Sequence, residues 1–225
     1  MNYEFPDTNQ SRLNIFKELR CAEKNIFSVK QTHSQDIVCI KSTDEPHYME
    51  ADGLVTGCEK HLLNISVADC LPIYLYDTVS GAFGVLHSGW KGTGIVRNAL
   101  KLMQESFGTK AENTAAILGP CIQSCCYEVD EQRANQFILD FGRGDPSAVE
   151  YPLGSVVKTV QDGEKECNFI DMQAANAHLL STAGVRNISY CTNCTFSDPR
   201  LGSFRREGNE RFTKMMALIG EIINA

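Results

Sequence analysis

With 225 residues, 43% of them hydrophobic, the chain is long enough to bury one sizeable core. A net charge of −7, with no long block of one sign, argues against nucleic acid as a partner, and no apolar run approaches the roughly 20 residues that a membrane-spanning helix needs. Residues 1–20 lack the apolar centre of a secretion signal, so the ten cysteines are expected as reduced thiols in the cytosol, most of them small buried hydrophobes.

In chain order, 26–31 (IFSVKQ) and 37–41 (IVCIK) read as two strands around the loop Thr32–Asp36. Ala51-Asp52-Gly53 is a turn signal ahead of a short apolar stretch, 54–56. Strands are predicted at 62–67 and 71–76, on either side of Ala68-Asp69-Cys70, and at 82–87, ending in His87. Ile95, Val96, Ala99, Leu100, Met103 and Phe107 recur at helical spacing, and Gly108 stops that helix. A strand at 114–118 runs into Gly119-Pro120, and Ala134, Phe137, Ile138 and Phe141 share one face of a helix over 130–141. Segment 142–154 reads as a surface loop, Asp171 as the N-cap of a helix ending before Gly184, and 187–191 and 212–220 as further strands. Strands outnumber helices and several should pair locally. The expected class is therefore α+β, one domain over 1–225 with mixed sheets and flanking helices.

Three candidate metal ligands fall at predicted strand ends: His33, Cys70 and His87, spaced 37 and 17 residues apart. Two imidazoles and one thiolate suit zinc, with copper as competitor, and three protein ligands leave the fourth tetrahedral position for substrate or water. Taken singly, a histidine at a strand end is more often a hydrogen-bonded structural residue, and a cysteine in an apolar run is more often core.

The blocks Gln31-Thr32-His33-Ser34-Gln35-Asp36, Glu50-Ala51-Asp52-Gly53, Val67-Ala68-Asp69-Cys70-Leu71-Pro72 and Leu86-His87-Ser88-Gly89-Trp90-Lys91-Gly92 resemble, in order, the signature blocks of the YfiH family. That family is also known as the multicopper polyphenol oxidase or laccase-domain family. Leu118-Gly119-Pro120-Cys121-Ile122 and Gly202-Ser203-Phe204-Arg205-Arg206 match two further blocks. The resemblance implies a single α+β domain of a kind grouped with cysteine hydrolases, and zinc held by His33, Cys70 and His87. It implies phosphorolysis of adenosine, inosine and S-methyl-5′-thioadenosine, together with adenosine deamination. The small-molecule partners are then a purine nucleoside and phosphate. Lys91 stands where the family usually has Arg, which keeps the charge but loses the bidentate fork. The family's N-terminal Ser-Thr-Arg and Gly-Gly pattern is not found, so any phosphate contact made by that Arg has to come from elsewhere.

Arg205 and Arg206 are phosphate-clamp candidates beside Lys91, with Arg205 favoured because adjacent residues rarely both point at one ligand. Asp52 and Asp69 are each either turn residues or carboxylates that orient a ligand. The pair Cys191/Cys194 has no second Cys-x-x-Cys, Cys194-Thr195 matches a family position near the pocket, and Cys125 and Cys126 are expected to be buried or strained apart. His47, His61 and His178 read as surface or packing residues. Three rival readings accompany phosphorolysis: a cysteine hydrolase or amidase using Cys70 with His87, a copper-dependent phenol oxidase, and a binder of nucleotides or cell-wall precursors without turnover.

Overall fold

The computed structural model describes residues 10–18, 25–45, 48–142 and 155–220. The expected loop beyond Gly142, His47 and Cys21 lie outside those residues. Among the described residues no helix is long and apolar enough to cross a membrane.

A six-stranded mixed sheet forms the centre. In spatial order it runs β12 (Asn187–Tyr190), β8 (Thr114–Leu118), β6 (Leu71–Asp77), β7 (Phe83–Ser88), β4 (Gly53–Thr56) and β2 (Ile37–Ile40). A four-stranded sheet is built from β13 (Met215–Ile219), β5 (Leu62–Val67), β1 (Ile26–Lys30) and β3 (Tyr48–Glu50). The period-2 alternation of strand side chains explains how the two stack. Leu54 and Val85 turn toward the smaller sheet, packing with Phe27, Leu63 and Ile65. Their chain neighbours Val55 and Leu86 turn the other way, into a larger cluster with α2 (Ile95–Phe107) and α4 (Met172–Thr182). Central strands are thus covered on both faces, and 62–67 and 83–88 are buried almost throughout. On the outer side of the four-stranded sheet, Phe16 of α1 (Gln10–Glu18) packs on Ile26 and Leu62.

The helix signals act as expected. Gly108 ends α2 in the left-handed conformation (φ 69°), its N–H bonding the Gln104 carbonyl. Asp171 caps α4 by accepting from the Ala174 amide at 2.8 Å. Asp130 likewise caps α3 (Glu131–Phe141), where Ala134 and Phe137 are buried but Ile138, expected on the same face, is exposed.

Pairing is less local than the sequence suggests. β6 and β7 form a sequential antiparallel pair, but β1 and β2 do not pair at all. β1 lies parallel to β3 and β5 in one sheet, and β2 lies parallel to β4 in the other. A three-stranded ribbon was not anticipated: β10 (Val157–Asp162), β11 (Lys165–Ile170) and the two-residue β9 (Glu128–Val129). The mixed α+β class is the one observed.

Candidate active site and metal centre

The two sheets bring the three distant residues together. His33 follows β1 in the smaller sheet, while Cys70 precedes β6 and His87 lies on β7 in the larger one. Antiparallel pairing places Leu71 opposite Ser88 and Pro72 opposite His87, so Cys70 arrives beside Gly89. The ligating atoms of His33, Cys70 and His87 all lie within 4.8 Å of one another. The two imidazole rings meet edge to face, with centroids 4.9 Å apart.

Asp52 organises this cluster from behind. Its buried carboxylate accepts the backbone N–H groups of Thr32 (3.1 Å), His33 (3.0 Å) and Ser34 (2.7 Å), bending the loop so that His33 sits at φ 60°. It also takes the Nδ1–H of His87 at 2.7 Å, which turns Nε2 of that ring toward Cys70. Both turn former and orienting carboxylate, Asp52 fills the two roles that sequence left as alternatives. Burial raises its pKa, but His87 and the Ser34 and Thr32 donors outweigh that and hold the carboxyl well below its usual range. Burial pushes the Cys70 thiol up, yet His33 and His87 bring it down to about 7. Burial draws His87 down, while Asp52 and the Cys70 sulfur lift it to about 9. The site therefore favours a thiolate beside imidazoles, and positive charge between them is stabilised whether carried by a proton or by a cation.

The donor set fits zinc by type and count. A Cβ added at Gly89 would stand 3.1 Å from Cys70 Sγ and 3.2 Å from His33 Cδ2, so the glycine keeps the space above the donors clear.

These groups form the floor of a cavity of about 490 Å³, within the range of small-molecule sites. Trp90, Tyr127, Phe204 and Phe212 supply aromatic surface, and Arg133, Arg205 and Lys214 supply positive charge. Arg133 lies over the Trp90 ring at 4.5 Å and Arg205 over the Tyr127 ring at 5.3 Å. Asp69 (φ 81°) fixes this rim to the floor, accepting the Thr195 hydroxyl at 2.6 Å and the Arg205 amide at 2.7 Å.

Two expected phosphate contacts are not brought to the cavity. Arg206 spends its guanidinium on the carbonyls of Thr195, Phe196, Asp198 and Leu201 and on the Glu207 carboxylate, holding the 195–207 loop in shape. Lys91 is exposed, turns toward the Trp90 ring at 5.7 Å, and is not among the cavity's lining residues. Arg133, Lys214 and Tyr127, which sequence reasoning missed, line it instead. No motif marks them, since α3, β9 and β13 meet only through the fold. Nor do Cys194 and Thr195 line the cavity; Thr195 acts through Asp69. Cys125 and Cys126 are not strained apart: Cys125 is exposed and the two sulfurs lie 3.3 Å from each other. His61 is buried, sharing a hydrogen bond with the Thr56 hydroxyl, and is a packing residue.

A mixed α+β chain that gathers two imidazoles and a thiol at the floor of a charged, aromatic cavity defines a candidate metalloenzyme. The chain belongs to the multi-copper polyphenol oxidoreductase laccase family, whose match covers residues 6–221. Similar proteins include a purine nucleoside phosphorylase of Clostridium acetobutylicum, 30% identical over 82% of this chain and 72% of that protein. Another, from Borreliella burgdorferi, is 32% identical over 81% of this chain and 75% of its own length. Among solved structures, YlmD of Geobacillus stearothermophilus (26% identity) superposes with a TM-score of 0.80 over 98% of this chain and 83% of that one. The Bacillus licheniformis protein YfiH (27% identity) gives 0.78 over 94% and 79%.

Proposed function

We propose that the protein is a zinc-dependent purine nucleoside phosphorylase that cleaves adenosine, inosine and S-methyl-5′-thioadenosine with inorganic phosphate and also deaminates adenosine, acting in the cytoplasm. The observation that carries this reading is the His33–Cys70–His87 donor set, backed by Asp52, under a cavity whose rim holds Arg133, Arg205 and Lys214. The names of the similar proteins support it.

His33, Cys70 and His87 would hold the ion through ring nitrogens and the thiolate. Bound there, zinc supplies a Lewis-acid charge that polarises a substrate atom or acidifies a water. Asp52 keeps the His87 proton on Nδ1, so that Nε2 remains a donor. Trp90, Tyr127 and Phe212 offer flat apolar faces to a purine. Arg205 and Arg133 hold phosphate beside the ribose, converting a bimolecular attack into a positioned one. In the reaction a phosphate oxygen bonds to C1′ as the C1′–N9 bond breaks, and its electron pair leaves with the base. The guanidinium groups offset the charge moving between phosphate and sugar.

Inosine and phosphate should yield hypoxanthine and ribose 1-phosphate with the metal-loaded protein and not with Cys70→Ala; no hypoxanthine from the loaded protein would overturn the proposal. One geometric observation favours a second reading. Cys70, His87 and Asp52 are also ordered as nucleophile, base and orienting carboxylate, the arrangement a cysteine hydrolase uses. Stoichiometric zinc in the purified protein, and loss of activity on chelation, separate the first reading from the second. Copper-dependent phenol oxidation gains less support, because the described residues group only two histidines with a cysteine.

A further inference from the structure

A second cluster of potential ligands stands apart from the first. β8 and β12 are parallel neighbours, with Leu118 opposite Tyr190, so the chain leaves the sheet side by side at these two points. One exit leads through Cys125 and Cys126 and the other through Cys194. A backbone β-bridge pairs Cys121 with Cys194, both free thiols, and the Thr195 amide bonds the Cys121 carbonyl at 3.0 Å, holding the two loops together. The three sulfurs of Cys125, Cys126 and Cys194 consequently lie within 4.8 Å of one another.

We infer that Cys125, Cys126 and Cys194 form a second metal site, built from sulfur alone, for a thiophilic d10 cation of the Cu(I) or Zn(II) kind. Sulfurs sharing an ion at about 2.3 Å stand about 3.8 to 4.0 Å apart. The separations here, 3.3 Å for Cys125–Cys126 and no more than 4.8 Å for the others, come close to that value, so small side-chain rotations would close the set. The Gln123 amide donates to the Cys194 sulfur at 3.5 Å and helps hold that sulfur in its loop. Cys125 is exposed, which gives an ion a way in. Thiolates without imidazole or carboxylate select soft cations over magnesium or calcium. The inference does not rest on phosphorolysis, since its ligands lie outside the catalytic cavity.

The test counts ions. Reduced, metal-stripped full-length protein is dialysed anaerobically against Cu(I) in one arm and Zn(II) in the other, each buffered by a competing chelator. Two equivalents should bind in at least one arm, and the arm in which they do identifies the cation. Cys125→Ser, a change at an exposed position, should remove one equivalent or weaken it at least about tenfold, since alterations to a ligand's mere partner already cost that much. His33→Ala should remove the other. Cys126→Ser should repeat the Cys125→Ser result. The inference is overturned if wild type binds a single equivalent in both arms, or if Cys125→Ser and Cys126→Ser retain both.

Discussion

The two candidate ligand clusters of this molecule are built on opposite plans. His33, Cys70 and His87 stand at strand ends of two stacked sheets, and a buried carboxylate, Asp52, fixes the direction of one ring and the shape of one loop. Cys125, Cys126 and Cys194 sit on two loops, with the Gln123 amide as the visible support at Cys194. The first plan costs a buried charge and returns fixed geometry, as a reaction requires. The second allows adjustment on binding, which suits holding an ion more than aiming one.

Cys70→Ala should separate the two clusters most strongly. It should lower kcat/KM for inosine by about 10³-fold or more, since it removes a group at the reacting centre. It should also leave the Cys125→Ser-sensitive ion equivalent in place, as dialysis would show. Next comes Asp52→Ala, which orphans His87 and three loop amides. A loss of about 3–5 kcal/mol in chemical denaturation and a 10- to 100-fold drop in zinc affinity are expected. Thr195→Val cuts the bond to Asp69 that links the floor of the cavity to the Cys194 loop. It should cost about 1–3 kcal/mol in the same denaturation experiment. Arg205→Ala should raise KM for phosphate roughly tenfold, equivalent to about 1.4 kcal/mol, with a smaller change for the nucleoside. Lys91→Ala should have the smallest effect, a phosphate KM shifted less than by Arg205→Ala and a stability change within about 0.5 kcal/mol. A larger shift at Lys91 than at Arg205 would reverse the assignment made from the cavity.

What was legible in the sequence follows from the same contrast. Strands β5, β6, β7 and β8 and helix α2 supply much of the two larger core clusters, so their apolar spacing is regular and legible. The β10–β11 ribbon escaped because β10 exposes all but its first residue and has no apolar rhythm. α1 pairs a short length with weak amphipathicity, and α5 (Phe204–Glu207) is a single turn. Turn chemistry placed Asp171 as a cap because capping is a local act, and Asp130, read only as the start of a helical segment, caps α3 in the same way. Parallel pairing of β1 with β3 and β5 is not local, and nothing near Ile26 announces it. The ligand residues were visible because blocks of chain around them resemble a known family. Arg133, Lys214 and Tyr127 carry no such signal, and the preference for Arg205 over Arg206 rested only on adjacent side chains diverging. The structure adds a reason: Arg206 is occupied by four carbonyls.

Gly89 gives the chemist a control that alanine scanning of the ligands cannot. A single methyl there would press on Cys70 and His33 at once while deleting no donor atom. Gly89→Ala would thus retain the full complement of nucleophile, base and carboxylate while shifting Cys70 and His33 by a few tenths of an ångström, which should weaken an ion they share. Turnover that survives this change, alongside weakened zinc binding, would assign the chemistry to sulfur; loss of both together would assign it to the metal.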